Sequence, residues 1–206
     1  MALPPRPTVP APRRPLPRDD RRERQDRVRQ WYEDELGWAA TAGPDGVRLR
    51  TGLRFDALEV PADAGFAMLR RLDPRTPVAL HGASMQLLVA AGATEELPGL
   101  LDWLEWGTLP LDLVAHGADG FIAAPAPPGW SGPQEAATWL RPPGPGTEPV
   151  LAALTSLAAC SAGSAVGGGG GAPDLVRLVD TAATYCHRVR LRRACASPTA
   201  QPLAFS

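Results

Sequence analysis

The feature that most constrains the fold is a change in the spacing of apolar residues along the chain. Between Asp19 and Leu36 the only large apolar residues are Val28, Trp31, Tyr32 and Leu36. Their spacing places them on one face, which predicts a helix whose last half packs and whose first half is solvated. From Trp38 the spacing falls to two, and Val47 and Leu49 alternate with arginines as in a half-exposed strand. Helical and strand patterns keep alternating beyond this point. The sequence therefore predicts an α+β fold with a mostly antiparallel sheet and helices packed on it.

The later elements follow from the same periodicities and from turn residues. The predicted strands lie at 55–60, 77–81, 85–90, 111–115, 120–124 and 139–140, and the predicted helices at 62–72, 94–106, about 149–159 and 173–194. The strands 111–115 and 120–124 are expected to form a hairpin. Thr94 is the expected N-cap of its helix and Gly107 its stop. Helical spacing places Phe66 on a buried face. Trp103 and Trp106, three positions apart, are expected to pack in the core or in a groove, with base stacking as the alternative.

Composition divides the chain into a central body and flanking segments. The predicted organisation is a disordered Pro- and Arg-rich tail (1–18), an α+β domain (19–160), a Gly-rich linker (161–172), a basic helix (173–195) and a disordered tail (196–206). The net charge of −1 conceals an uneven distribution. Residues 1–30 carry nine Arg against four acids, and residues 173–195 carry five Arg against two. An acidic body between basic ends predicts either nucleic-acid binding through those ends or docking of the ends on the body.

Residue types that are missing or rare exclude several chemistries. The chain contains no Lys, so a phosphate-loop lysine and a lysine Schiff base are both excluded. It has no apolar run long enough for a membrane span, so no membrane partner is expected. The three cysteines have no framework spacing, which favours a reducing compartment and a cytoplasmic location.

Three segments, taken in order, carry a resemblance to a known family. They are Phe55–Gly65 (FDALEVPADAG), Thr76–Val89 (TPVALHGASMQLLV) and Leu111–Pro125 (LDLVAHGADGFIAAP). Together with the short strand at Trp139-Leu140, they resemble the N-terminal domain of bifunctional DNA primase–polymerases over residues 31–144. The resemblance implies an RRM-like core sheet with helices on one face.

The same resemblance assigns roles to single residues, and at some of these positions the family's functional residue is replaced. Glu59 stands at the first of two family aspartates, Pro61 at the second, and Asp112 at a later aspartate. Gln86 takes the place of a histidine that helps hold the incoming nucleotide. Two-metal nucleotidyl transfer needs several carboxylates around cations about 4 Å apart. Glu59 and Asp112 are therefore remnant catalytic carboxylates that can hold at most one Mg²⁺ or Mn²⁺, and Gln86 marks a degenerate nucleotide-binding position.

Each of these assignments has a plainer alternative. Glu59 and Asp112 can be solvated acids at strand ends, and Gln86 can be an ordinary polar strand residue. Asp63 is expected to cap the next helix. His81 and His116, which lie beside turns, are expected to be exposed loop histidines.

A dense group of arginines near the C-terminus also has two interpretations. It consists of Arg188, Arg190, Arg192 and Arg193. These residues either complement a helix dipole or grip nucleic-acid phosphates.

Three functional hypotheses follow. The leading one is a degenerate primase–polymerase-like domain that is catalytically inactive and acts by binding nucleic acid or a protein partner. The second is a residual nucleotide-binding or nucleotidyl-transferase activity with one divalent metal, and no other cofactor is predicted. The third is a protein-interaction module with no nucleic-acid role. Convergence of Glu59, Gln86 and Asp112 on one open sheet face is the expectation that tests the resemblance.

Overall fold

The computed structural model describes residues 18–130, 137–144 and 175–196. The helices in these ranges are α1 (Arg18–Glu35), α2 (Ala62–Met68), α3 (Leu97–Trp103) and α4 (Leu175–Ala196). The strands are β1 (Ala40–Gly43), β2 (Gly46–Arg50), β3 (Phe55–Pro61), β4 (Val78–His81), β5 (Ser84–Ala90), β6 (Val114–His116), β7 (Phe121–Ala123) and β8 (Thr138–Arg141). The predicted helix at 149–159, the linker at 161–172 and nearly all of both predicted tails lie outside the described residues. No described helix is long and apolar enough to cross a membrane.

The larger sheet has five strands in the order β6-β3-β5-β4-β8, and every pairing in it is antiparallel. The unit β3-α2-β4-β5-α3-β6 forms its first four strands. Counted in chain order, these strands lie 4-1-3-2, which is the split βαβ arrangement. The α+β prediction is confirmed, and the sheet order is the one expected of an RRM-like core.

One face of this sheet is covered by α2, α3 and α4. Side chains alternate along each strand, so every second residue points toward these helices. Leu58 and Val60 of β3 point into this core beside Leu87 of β5. Helix α4 supplies Leu175, Leu178, Val179, Ala182, Cys186 and Val189 to the same cluster. The predicted basic helix is therefore part of the main core, although it lies far along the chain from the sheet that it covers.

The opposite face of the sheet packs in part against α1 and a second, three-stranded sheet of order β1-β2-β7. The cluster between them is built around Tyr32, Trp38 and Phe55, which are all fully or almost fully buried. The Tyr32 hydroxyl donates to the Pro125 carbonyl at 2.7 Å and accepts from Trp139 Nε1 at 3.0 Å. This cluster covers only part of the face. On the remaining part, β3, β5 and β6 carry polar side chains.

The hairpin predicted from 111–115 and 120–124 is wrong. The two segments become β6 and β7, which belong to different sheets: β6 pairs with β3, and β7 pairs with β2. The loop between them is tied instead to the end of β2, since Thr51 donates from Oγ1 to the Gly117 carbonyl at 2.6 Å. A Gly-rich turn sequence shows that the chain bends, but it does not show which sheet each arm joins.

The buried carboxylate of Asp56, beside this loop, binds the residue that was predicted to cap α3. Asp56 is fully buried and accepts from Thr94 Oγ1 at 2.7 Å, from Thr94 N at 3.1 Å and from Gly52 N at 3.1 Å. Thr94 thus bonds to β3 and does not cap α3, whose N-cap is Glu96.

Helix α3 also differs from its prediction at its C-terminal end. The chain reverses at Glu105, which has a φ of 64°, and not at Gly107. Trp106 N then bonds to Leu101 O at 2.8 Å, as in a Schellman motif. Phe66, which was predicted to be buried, is 51% exposed, and Trp103, for which a core or groove position was predicted, is 72% exposed and does not lie in the core.

Candidate functional site

The candidate site lies on the face of the five-stranded sheet opposite to α2, α3 and α4, on the part that the α1 cluster leaves open. Glu59 is flanked in β3 by Leu58 and Val60, which point into the helix-covered core, so its own side chain points to the opposite face. Strand register places Gln86 of β5 directly across from it. On its other side, Glu59 pairs with Val114 of β6, which brings the end of β6 within reach.

Three donors surround the Glu59 carboxylate. His116 Nε2 lies 3.0 Å from Glu59 Oε2, and Gln86 Nε2 donates to the same oxygen at 3.1 Å. Ser84 provides a further side-chain hydrogen bond. An ionised carboxylate can only accept, so the hydrogen of the histidine contact is on Nε2. This group of four residues, Glu59, Ser84, Gln86 and His116, is called the Glu59 cluster below.

The cluster stabilises the ionised form of Glu59. The hydrogen bond from His116 is the largest cause that lowers the pKa of Glu59, and the bonds from Gln86 and Ser84 lower it further. Partial burial opposes them, and the pKa falls to about 2. The carboxylate is therefore an anion at neutral pH, stabilised by the protein's own donors.

Gln86 contributes an unusual feature to the cluster. The residue is only 2% exposed, and its Oε1 atom has no hydrogen-bond partner among the described residues. Its amide orients the Glu59 carboxylate while one acceptor is left unpaired.

Asp112 does not join the Glu59 cluster. Its carboxylate lies 3.5 Å from Arg190 Nη1 and 3.7 Å from Arg193 Nη1. Both arginines belong to α4, which packs on the other face of the sheet. The Asp112 carbonyl also accepts from the Cys186 thiol at 3.7 Å. Burial and, after it, the Asp112 charge raise the pKa of this thiol to about 12. Of the three residues expected to converge, the structure brings two together.

Arg193 also reaches the acid that was expected to cap α2. Its Nη2 atom lies 3.4 Å from Asp63 Oδ2, and the N-cap position of α2 is Pro61, without a side-chain cap bond. One guanidinium therefore bridges two carboxylates, Asp63 and Asp112. Among the predicted nucleic-acid ligands, Arg190 and Arg193 are engaged with acids of the body, and Arg188 lies over the Tyr185 ring at 5.3 Å. Arg192 is exposed.

The residues present do not match a divalent-metal centre. Mg²⁺ and Mn²⁺ prefer several oxygen ligands that converge on one point. In the described part of the chain, no group of three or more His, Cys, Asp or Glu side chains has an arrangement that can hold a metal ion. Glu59 is enclosed by hydrogen-bond donors and Asp112 faces guanidinium groups, so these two acids do not converge as ligands of one metal ion.

His116 and Ser84 are the two residues of the Glu59 cluster that the sequence patterns missed. His116 was expected to be an exposed loop histidine, yet only 24% of its side chain is exposed and its ring contacts Glu59. Its position two residues after Val114 places it on the same face as Glu59, but that inference requires the β3–β6 pairing. His81, in contrast, is exposed at the β4–β5 turn as expected.

No family model, curated protein or solved structure matches this chain. The resemblance to primase–polymerases therefore stays a prediction from the three sequence segments.

Proposed function

We propose that this chain is a degenerate, catalytically inactive relative of primase–polymerase domains that acts by binding nucleic acid or a protein partner. The observation that carries the proposal is the different engagement of the two remnant acids. Glu59 is bonded to His116 on one face of the sheet, whereas Asp112 is paired with arginines of a helix on the other. In-line nucleotidyl transfer requires carboxylates around a shared pair of cations.

The electrostatics favour binding over catalysis for a second reason. Each acid already has a partner that a metal ion would have to displace. The low pKa of Glu59 reflects side-chain donors whose acceptor is the Glu59 carboxylate. A metal ion bound by this carboxylate would leave those donors unpaired. The alternative of residual nucleotidyl transfer with one metal requires Glu59 and Asp112 to share that ion.

A primer-extension assay tests the absence of catalysis. The full chain is incubated with a primed template, deoxynucleotides and either Mg²⁺ or Mn²⁺, in parallel with Glu59→Gln and Asp112→Asn. We expect no extension by any of the three proteins and no rise in Tm with nucleotide and metal. Extension by the wild type that both variants lose would contradict the proposal. Asp45→Asn, in an exposed turn, is the matched control for a contaminating polymerase.

The partner class depends on whether the α4 arginines are available to phosphates. Exposed ion pairs contribute only about 0–1 kcal/mol each, so Arg190 and Arg193 can exchange Asp112 and Asp63 for phosphate at little cost. Their present pairing also favours the third hypothesis, in which the basic end docks on the chain's own acidic body and nucleic acid plays no role.

Fluorescence anisotropy with a labelled single-stranded oligonucleotide separates these two functions. A nucleic-acid partner predicts binding at low salt that falls steeply as salt rises, through counterion release. It also predicts weaker binding by Arg188→Ala/Arg192→Ala. The interaction function predicts no binding at low salt by the wild type.

A further inference from the structure

The outward surface of the helix layer, formed by α2, α3 and α4, carries two exposed aromatic side chains. Phe66 lies on α2 and Trp103 ends α3, and more than half of each side chain is exposed. Trp103 is more exposed than any other large apolar residue in the described part of the chain. Exposed aromatic rings are typical of the residues that anchor protein interfaces. The layer therefore has one candidate anchor on each of its two short helices.

The aromatic residue of α2 shares its helical face with positive charge. Arg70 follows Phe66 by four residues, and the helical backbone continues through Leu69, so both side chains point outward. Arg70 and Arg71, called the α2 arginine pair below, are exposed and form no ion pair within the described residues. The nearby acids already have arginine partners, in the ion pairs Asp63–Arg193 and Asp73–Arg75.

The aromatic residue of α3 shares its face with negative charge. Glu96 lies seven residues before Trp103 and therefore on the same side of the helix. Glu95 and Glu96, called the α3 glutamate pair below, are exposed, and neither forms an ion pair with a described residue. The stretch from 76 to 140 contains no Arg or Lys. The two short helices thus present an aromatic ring each, beside charges of opposite sign.

Strand directions determine how these two helices lie. β3 and β4 run in the same direction because both are antiparallel to β5, so α2, which links them, runs the opposite way. β5 and β6 also share a direction, because both are antiparallel to β3, so α3 runs opposite to α2. The start of α2 and the end of α3 therefore lie at the same end of the layer. Helix α4 packs against β3 and against both α2 and α3, which places it between them.

This arrangement is self-complementary under a two-fold rotation. An axis that runs parallel to α4 in the outer surface of the layer exchanges the two outer helices without exchanging the ends of the layer. It brings Phe66 against Trp103 of the partner subunit at one end, and the α2 arginine pair against the partner's α3 glutamate pair at the other. We propose that the helix layer is the interface of a symmetric dimer of this chain. This proposal does not depend on the function proposed above, because it involves neither the Glu59 cluster nor the α4 arginines.

The dimensions of the layer suit such a dimer. At 1.5 Å per residue, Phe66 and Arg70 are about 6 Å apart along α2, and Trp103 and Glu96 are about 10 Å apart along α3. The length of an arginine side chain covers the difference. Three adjacent helices, each about 10 Å wide, and the roughly 33 Å length of the 22-residue α4 give a surface on the order of 1,000 Å². A specific interface needs about 800 Å² from each partner.

Sedimentation velocity of the full chain at concentrations up to about 100 µM tests the dimer, since interfaces of this size have Kd values up to the micromolar range. We expect Arg70→Glu/Arg71→Glu and Glu95→Arg/Glu96→Arg each to raise the Kd at least about tenfold, because each places like charges opposite one another in both symmetric contacts. An equimolar mixture of the two variants should form a heterodimer, because both of its contacts then join opposite charges.

Two controls accompany these variants. The matched reversal Arg22→Glu/Arg27→Glu, on the exposed side of α1, should leave the Kd unchanged. Trp103→Ala should also raise the Kd at least about tenfold, because the two-fold interface loses the anchor twice. Trp130→Ala, which removes an exposed tryptophan outside the helix layer, should not change it.

Three outcomes would overturn the proposal. A wild type that remains monomeric over the whole concentration range has no such interface. Charge-reversed variants that dimerise like the wild type would place the interface on another surface. If both variants dissociate but their mixture forms no heterodimer, the α2 arginine pair does not face the partner's α3 glutamate pair. Recovery of the dimer in the mixture also excludes misfolding as the cause of dissociation, because a misfolded chain could not pair.

Discussion

At the scale of single residues, the Glu59 carboxylate is stabilised in its ionised form by hydrogen bonds from neighbouring side chains. His116 donates the hydrogen bond that contributes most to its low pKa. We predict that His116→Ala raises the pKa of Glu59 from about 2 toward its usual value, because the principal donor is removed. Carboxyl-detected NMR titration of the labelled protein measures this directly. His81→Ala, an exposed histidine, should leave the Glu59 titration unchanged.

The same depressed pKa makes stability depend on acidity in a defined window. Its folded value lies below the ordinary 4.5, so the stabilisation is fully present above pH 4.5 and is lost as pH falls toward 2. Urea unfolding across this range should show a smaller loss of stability for Glu59→Gln than for the wild type. Identical pH profiles would show that the cluster does not stabilise the charged form.

Asp56 is a second carboxylate whose role is structural. Its three hydrogen bonds tie the start of β3 to the segments that carry Gly52 and Thr94. We predict that Asp56→Ala lowers the free energy of unfolding by about 3 kcal/mol, because buried donors lose their acceptor. Asp45→Ala, at the exposed β1–β2 turn, should change it by less than about 0.5 kcal/mol. Chemical denaturation of the wild type, Asp56→Ala and Asp45→Ala measures these differences in the free energy of unfolding.

At the scale of elements, the end of α3 contains a local conflict between sequence and conformation. Glu105 adopts a left-handed conformation that glycine occupies without strain. We predict that Glu105→Gly raises the free energy of unfolding by about 0.5–1 kcal/mol, whereas Glu105→Ala does not raise it. Thermal unfolding of both variants provides the measurement. A loss of stability in Glu105→Gly would mean that the glutamate side chain makes a contact that outweighs the backbone strain.

The elements also show what the sequence could predict and what it could not. Alternation located β2, which has one buried face. Apolar runs bounded by turn residues located β3 and β5, which are buried on both faces and therefore do not alternate. The partners of β6 and β7 could not be predicted, since pairing with β3 and β2 depends on residues more than fifty positions away. Helical spacing identified an apolar side for α2, but Phe66 lies outside the strip that α4 covers.

The candidate site was predictable to a similar extent. The proximity of Glu59 and Gln86 was expected from the family resemblance, and the β3–β5 register places them opposite each other. The position of Asp112 was not predictable. Its carboxylate is drawn to Arg190 and Arg193, whose place beside it is set by the packing of α4. A residue pattern near Asp112 contains no information about a helix nearly eighty residues later.

At the scale of the whole molecule, α4 and the five-stranded sheet form one core. Leu178 is 5% exposed within that core, while Leu191 on the same helix is 51% exposed. We predict that Leu178→Ala lowers the free energy of unfolding by about 2–4 kcal/mol, and Leu191→Ala by less than about 0.5 kcal/mol. Hydrogen exchange at β5 amides should accelerate only in Leu178→Ala. If exchange accelerates in α4 alone, the helix and the sheet unfold independently.

The position of α4 in the chain has a consequence for synthesis. The strands of the larger sheet are complete once Arg141 has been made, but the helix that covers them ends at Ala196. At roughly 5–20 residues per second, the ribosome needs about 3–10 s to add the intervening residues. During that interval the core that contains Leu58, Val60 and Leu87 has α2 and α3 but lacks the apolar side chains of α4, so a nascent chain stalled there exposes part of this core. The rate at which the last helix is delivered therefore sets the time for which the newborn protein needs protection.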